Sequence, residues 1–162
     1  MSDYLPIITA LIAAGAVVAA AMYSAHKTQE RERKEALRVL YADFLEAVNT
    51  VHGILVESRK NDGNIDALGG QVELTQSLRG MLNTYLQIEI QAPENTIGFA
   101  FGLANVMNST RWTDYHQPAA TIFVRSARVD IALTRRERKA ASRRLDDYVQ
   151  RPEAQAYFTS PV

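Results

Sequence analysis

The chain begins with an apolar stretch, LPIITALIAAGAVVAAAMYSA, that runs from residue 5 to residue 25 without a charged side chain. A helix of this length extends about 30 Å, which matches the hydrocarbon thickness of a bilayer. A tyrosine lies close to each end of the stretch, where amphipathic rings favour the membrane–water interface. The pattern predicts a transmembrane anchor within residues 1–26, whose membrane-spanning positions include Leu5, Leu11, Gly15, Val18 and Met22.

Two other kinds of segment have a similar composition: a cleaved signal peptide and a buried helix of a soluble protein. A signal peptide carries a basic region ahead of a shorter apolar core, whereas the residues before Tyr4 are Met-Ser-Asp. We therefore expect a retained single-pass anchor. Lys and Arg are concentrated just after the apolar stretch, and such an excess marks the cytoplasmic side. The heavy use of Ala and Arg suggests a bacterial source, so we expect an inner-membrane protein with its N-terminus outside and its C-terminal domain cytoplasmic.

Beyond the anchor, apolar residues recur at alternating spacings of three and four, from Leu37 through Phe44 to Ile54. This heptad pattern is typical of a coiled coil, but neighbouring apolar positions widen it to a stripe that suits a helical bundle. Neither Gly nor Pro occurs between Tyr23 and His52. The anchor is therefore predicted to continue directly into a soluble helix that ends near Arg59.

Three more helices are predicted from periodicity and from helix start and stop signals. The second follows a turn at residues 60–64 and ends near residue 91, the third covers residues 94–108, and the fourth runs from about 114 to 148. The fold class is all-α: a transmembrane helix continuing into an antiparallel cytoplasmic bundle of about four helices over residues 27–150, with a loosely held tail at 151–162. The predicted bundle core contains Leu37, Leu40, Phe44, Val51, Leu78, Tyr85, Phe101, Ile122 and Leu133.

The chain has no formal net charge at pH 7, which argues against a protein built around bulk attraction to nucleic acid. Residues 125–144 nevertheless contain eight basic side chains against two acidic ones. This stretch is either a solvated helix face, a contact for anionic lipid, or a contact for an acidic protein partner. Because the fourth helix is expected to return toward the membrane, lipid or an acidic partner would contact Arg135, Arg136, Arg138, Lys139, Arg143 and Arg144.

The sequence carries little recognisable site chemistry. It has no cysteine, and its three histidines share no metal-ligand spacing. Nucleotide-binding loops and the usual hydrolase motifs are missing from the sequence. The segment from Trp112 to His116 could line a pocket, but it is more typical of an interhelical corner that Asp114 caps. We expect no catalytic residue, no cofactor and no metal.

The features together predict a membrane-anchored scaffold or accessory subunit that docks a protein partner or assembles with itself. Two alternatives remain: a small membrane-disturbing or exclusion factor of the kind that phages encode, and an anchored regulator. The expected partners are the lipid bilayer and either a protein or a second copy of the chain, with anionic lipid possible and nucleic acid not expected. Gly98 and Gly102 would form a groove for another helix if their shared face were exposed.

Overall fold

The computed structural model describes residues 5–60, 69–109 and 112–159, and the side chains from Gly15 onward within those ranges. The all-helical prediction is confirmed for this part of the chain, which contains no strand. The predicted turn at 60–64 lies almost wholly outside the described residues. The six helices are α1 (Leu5–Lys60), α2 (Gly69–Gln91), α3 (Glu94–Met107), α4 (Trp112–Asp130), α5 (Arg135–Val149) and α6 (Pro152–Thr159).

Helix α1 is unbroken over 56 residues. Every residue from Gly15 to Arg33 is exposed, so no described part of the chain covers this portion of the helix. From Leu37 onward, the positions of the heptad pattern turn inward: Leu37, Leu40, Phe44 and Val51 are buried, and Ala47 and Ile54 are half-buried. One helix therefore has a bare apolar N-terminal half and a C-terminal half that is central to the packed domain.

The core forms where α1, α2, α3 and α4 meet, around the rings of Phe44 and Phe123. Their centroids lie 5.1 Å apart in an edge-to-face arrangement, and both side chains are fully buried. Full burial of a large apolar side chain contributes about 1.5–3 kcal/mol to folding. Among the positions expected in the core, five are buried and two are half-buried against it: Leu37, Leu40, Phe44, Val51 and Ile122, and then Leu78 and Tyr85.

Two of the expected core residues are instead on the surface. Phe101 is 52% exposed because α3 buries its opposite face, which carries Ala100 and Leu103. An apolar helix with hydrophobic residues on all sides gives no periodicity from which the inward face can be read. Leu133 is 59% exposed because it lies between two helices and not within one.

The prediction of one long fourth helix is wrong, since the chain turns between Asp130 and Arg135. Thr134 caps the next helix: its hydroxyl accepts a hydrogen bond from the Glu137 N–H at 3.1 Å. The Glu137 carboxylate accepts in return from the Thr134 N–H at 3.0 Å, which completes a capping box. Helix α5 then folds back along α4, where the Arg125 guanidinium donates to the Arg144 carbonyl at 3.0 Å.

The expected loose tail contains a packed helix. Pro152 begins α6, and its missing N–H is tolerated in a first helical turn. Ala154 is fully buried, and the Tyr157 side chain lies directly over Gly102 of α3. The groove that Gly102 could have offered to another helix is therefore occupied by this chain. Residues 160–162 lie outside the described part of the chain.

Candidate functional site

Two interhelical corners, one between α2 and α3 and one between α4 and α5, contact the same turn of α1. The Arg33 guanidinium donates to the carbonyl of Gln91, where α2 ends, over 3.4 Å. The Lys34 ammonium donates to the carbonyl of Ala132, between α4 and α5, over 2.8 Å. The same ammonium lies 2.7 Å from the Glu30 carboxylate, so these contacts are made close to the level of Glu30 along α1. We call this end of the domain the proximal end, because it is nearest to the bare apolar half of α1.

The basic cluster of the sequence begins at the proximal end. The Arg138 guanidinium is near enough to Glu30 to help lower the pKa of that carboxyl group, although the hydrogen bond and charge of Lys34 lower it more. The capping hydrogen bonds from Thr134 likewise lower the pKa of Glu137. The first turns of α5 therefore sit beside the start of the α1 segment that joins the domain.

Five of the six basic residues singled out in the sequence line one open pocket on α5, and Arg144 lies apart from them: Arg135, Arg136, Arg138, Lys139 and Arg143. All six are exposed. Arg135, Arg136, Arg138 and Lys139 occupy the first turns of α5, whereas Arg144 lies about 13 Å farther along the helix, beside Arg125. The expected arrangement was one long helix that carries all six cations back toward the membrane. It is wrong, because the chain turns before α5. We call the first four residues the proximal basic group.

Between α1, α4 and α5 there is an open cavity of about 370 Å³. Arg38, Arg125, Arg128 and Arg144 line it around a mostly apolar floor that includes Leu133. The Arg125 guanidinium stacks over the Tyr148 ring at 4.8 Å, and its Nε is buried without a hydrogen-bond partner among the described residues. The charge and shape of the cavity favour an anion over any other class of small ligand.

A buried polar cluster ties the turn before α5 to the core. The Asp130 carboxylate accepts hydrogen bonds from the Tyr41 hydroxyl at 2.8 Å and from the Thr96 hydroxyl at 2.6 Å. The Thr96 hydroxyl also lies 2.6 Å from the Ser126 hydroxyl. Burial raises the pKa of Asp130 despite these donors, and burial followed by the Asp130 contact raises the pKa of Tyr41. The cluster joins α1, α3 and α4, so its geometry serves to fix these helices together.

The opposite end of the domain contains the Trp112–His116 segment. Trp112 is half-buried and packs against the core, as expected of an interhelical corner, while Asp114 lies inside the first turn of α4 and not ahead of it. The His116 ring stacks on that of His52 with the centroids 4.0 Å apart. Across residues 5–60, 69–109 and 112–159, no group of three or more His, Asp or Glu side chains is arranged to hold a metal ion.

The apolar half of α1 is the other candidate functional element. Within the described residues, α1 is the one helix that is long and apolar enough to cross a membrane. That criterion uses length and composition alone, and signal sequences and core helices of soluble proteins also meet it. The exposure of its spanning positions Gly15, Val18 and Met22 is the opposite of what a core helix shows. The side chains of Leu5 and Leu11 lie outside the described part of the chain.

Compared with known proteins, the chain matches no family model, no curated protein and no solved structure. The sequence alone also does not reveal which apolar residues are exposed. The exposed Ile90 and Leu133 at the proximal end are examples, since both fit a buried position by residue type. The Thr134-to-Glu137 spacing is a signal that does reveal the turn before α5.

Proposed function

We propose that the chain is a single-pass membrane protein whose anchor is the apolar half of α1. Its remaining helices form an antiparallel cytoplasmic bundle that acts as a scaffold or accessory subunit at the inner membrane. The domain docks a protein partner or assembles with itself. The observation that carries this proposal is the unbroken helix α1, which is bare and apolar at one end and central to the core at the other.

The bare half of α1 needs a covering that the described chain does not supply. Met22 is 70% exposed and Val17 is 68% exposed, and apolar residues lie on every side of this part of the helix. Each Å² of apolar surface taken out of water contributes about 25 cal/mol, so removal of the whole surface into lipid is strongly favourable. A bilayer covers a helix on all sides, which a single protein groove does not.

The orientation rests on the Lys and Arg residues that follow the apolar stretch, beginning with Lys27 and Arg31. Positively charged flanks remain on the cytoplasmic side during insertion. Because α1 continues without a break into the core, the anchor and the domain act as one rigid unit. The membrane therefore fixes both the position and the orientation of the domain.

A docking role is supported by the outer surface of α2 and α3. Leu82 and Leu86 lie one turn apart on α2 and are both exposed, and the exposed Phe101 of α3 lies beside Tyr85, with the ring centroids 6.0 Å apart. We call Leu82, Leu86 and Phe101 the α2–α3 strip. Adjacent exposed apolar side chains of this kind mark sites of protein association. The polar cluster around Asp130, in contrast, joins α1, α3 and α4, which supports a structural role for these groups over a catalytic one.

Anchoring and topology are tested first, on the full chain. The protein should remain in the membrane fraction after an alkaline carbonate wash. A reporter fused after Val162 should be active only when the reporter is one that works in the cytoplasm. Release by the wash would remove the anchor from the proposal, and activity of a periplasmic reporter would reverse the orientation.

Docking is tested by native mass spectrometry of the full chain in mild detergent. We expect a defined complex, with a second copy or with a partner of fixed stoichiometry, that Leu82→Glu together with Leu86→Glu abolishes. Val72→Glu is the matched control, because Val72 is an equally exposed apolar residue at the other end of α2. A chain that is monomeric and arrests growth on expression would favour the membrane-disturbing factor instead. A chain that is monomeric and harmless would favour the anchored regulator.

A further inference from the structure

The two most exposed large apolar side chains described beyond residue 33 both lie at the proximal end. They are Ile90, 83% exposed in the last turn of α2, and Leu133, 59% exposed in the turn before α5. A single exposed apolar side chain is common on a protein surface, so the position of these two relative to the anchor and to nearby charges is what gives them meaning. Both belong to the corners that close on the turn of α1 around Glu30 and Lys34.

Their height above the anchor can be read along α1. Glu30 follows Ala25, the last residue of the apolar stretch, by five residues. At a rise of about 1.5 Å per residue, the two are about 7.5 Å apart along the helix axis. The headgroup layer on each side of a bilayer is about 5–7.5 Å thick, because the hydrocarbon core is about 30 Å thick and the whole bilayer is about 40–45 Å thick. When the anchor spans the membrane, both corners therefore reach the level of the headgroups.

The two corners differ in charge. Ile90 is next to the exposed Glu89, and Glu94 follows at the start of α3, so this corner carries carboxylates. Leu133 is followed directly by the proximal basic group. The carboxylate at this corner is that of Glu137, and it accepts hydrogen bonds from the N–H groups of Thr134 and Leu133. Within the described residues none of the four cations of the group forms an ion pair. Arg138 is nevertheless close enough to Glu30 and Asp130 for its charge to act to lower the pKa of both carboxyl groups, against the burial that raises that of Asp130.

We propose that the turn before α5 is a docking site for anionic phospholipid, in which Leu133 enters the boundary between headgroups and acyl chains. The proximal basic group contacts the lipid phosphates. The corner that carries Ile90 stays in water, because its carboxylates repel the same surface. The domain therefore contacts the membrane surface through the Leu133 corner alone. This inference rests on the proposed anchor, since the anchor brings the corner to the headgroup layer.

The chain is suited to a direct test because it contains no cysteine. Single variants Leu133→Cys, Ile90→Cys and Val72→Cys of the full chain carry an environment-sensitive fluorophore. Each is reconstituted into vesicles of phosphatidylcholine, with or without phosphatidylglycerol. We expect a blue-shifted emission, and quenching by lipid-attached nitroxide, at position 133 in the vesicles that contain phosphatidylglycerol. Ile90→Cys is the matched control for height, and Val72→Cys is the control for an exposed apolar residue far from the membrane.

The charges are tested on the Leu133→Cys protein. Replacement of Arg135, Arg136, Arg138 and Lys139 by Gln should remove the blue shift, whereas Arg144→Gln should leave most of it, because Arg144 lies apart from them beside Arg125. Gln is nearly as good a helix former as Arg, so α5 should remain intact, as circular dichroism can verify. The shift should also decline as salt shortens the screening length, from about 10 Å at 0.1 M to about 3 Å at 1 M.

Three results would overturn the inference. The first is an equal emission at positions 133 and 90 in every vesicle. The second is a shift at position 133 that does not depend on phosphatidylglycerol. The third is a shift of the same size in lipid-free detergent, which would indicate that a second copy of the chain covers Leu133. Flotation of the vesicles separates these results from failure of the anchor. Protein that does not float with the vesicles would overturn both the proposed anchor and the lipid docking site. Protein that floats while position 133 remains in water would overturn the docking site alone.

Discussion

The imidazole rings of His52 and His116 lie parallel, with their centroids 4.0 Å apart and 9° between their planes. Burial lowers the pKa of His116 below its ordinary value of 6.5, and the charge that His52 carries when protonated lowers it further. The Nε2 atom of His116 is buried without a hydrogen-bond partner among the described residues. The folded domain therefore favours the uncharged form of His116.

This stacking predicts a loss of stability in mild acid. Because the pKa of His116 is lower in the folded chain than in the unfolded chain, the unfolded chain takes up a proton first as the pH falls below about 6.5. The free energy of unfolding should then decrease with falling pH until folded His116 is itself protonated. Urea unfolding of the full chain in mild detergent, followed by circular dichroism at several pH values, measures the slope.

His116→Phe is the comparison for this prediction, because it keeps a ring against His52 and cannot be protonated. The slope between pH 7 and pH 5.5 should be smaller in this variant. Asp130, whose pKa burial raises, acts in the opposite sense at lower pH, since its protonated form is favoured in the folded chain. An identical slope in the two proteins would show that His116 is protonated as readily in the folded state as in the unfolded one.

The Tyr41 hydroxyl is expected to be important for the cluster around Asp130. Tyr41→Phe leaves the ring in place but removes one of the two side-chain donors to a half-buried carboxylate. Leaving a buried acceptor under-satisfied costs about 1–3 kcal/mol. Urea unfolding should show a loss in this range.

The matched control is Tyr85→Phe. Tyr85 is a half-buried tyrosine whose hydroxyl forms no hydrogen bond described in the structure. We expect little change in the free energy of unfolding for that variant. Equal losses for the two tyrosines would mean that the Asp130 contact contributes no net stability.

Phe44 and Phe101 provide a test of the core with one kind of substitution. Phe44→Ala removes a fully buried ring that packs edge to face on Phe123, and it should cost about 3–5 kcal/mol. Phe101→Ala removes a ring that is half exposed, and surface substitutions usually change stability by about 0.5 kcal/mol or less. Denaturation followed by the fluorescence of Trp112, the single tryptophan of the chain, compares them. Similar losses would contradict the described orientation of α3.

Helix content could be predicted where the sequence pattern has one interpretation. The stripe from Leu37 to Val51 is regular, and α1 buries it as expected. The start of α3 at Pro93 and Glu94 follows from the residues that favour a first helical turn. These elements depend on local periodicity and local capping, both of which a single sequence displays.

The turn before α5 was missed for a physical reason. Neither Gly nor Pro lies between Pro118 and Pro152, so no helix-breaking residue marks the turn and periodicity alone continues the helix through Leu133. The decisive interaction is the reciprocal pair of hydrogen bonds between Thr134 and Glu137. Because this turn reverses the chain, missing it also misplaced Arg144, which lies beside Arg125 and not with the other basic residues of the candidate surface.

The packing of α6 could not be predicted because it depends on a contact between distant residues. Ala154 is buried with Ile122 of α4 and Tyr148 of α5, and Tyr157 lies over Gly102 of α3. Periodicity in a short, weakly patterned segment does not reveal such contacts. The absence of a side chain on Gly102 is the reason that the Tyr157 hydroxyl can lie where it does. Burial raises the pKa of that hydroxyl, as expected for a phenol held against a helix.

Gly98 and Gly102 should therefore respond in opposite ways to the same substitution. A Cβ added at Gly98 meets nothing within 4 Å, so Gly98→Ala should stabilise α3 by up to about 1 kcal/mol through helix propensity. A Cβ at Gly102 collides with the Tyr157 hydroxyl, and the Tyr157 ring is held by its neighbours Tyr115 and Phe158. Gly102→Ala should cancel the propensity gain and loosen α6, which limited proteolysis near Gln155 would detect.

The hydroxyl itself can be removed to identify the cause. In Gly102→Ala combined with Tyr157→Phe, the nearest ring carbon lies 3.4 Å from the new Cβ, which is close to ordinary van der Waals contact. The double variant should therefore recover protection of α6 and gain the stability that Gly98→Ala shows. Tyr157→Phe alone should change little, because no hydrogen bond from that hydroxyl is described. If the double variant is cleaved as rapidly as Gly102→Ala, the collision is not what loosens α6, and the packing of α6 on α3 differs from that described.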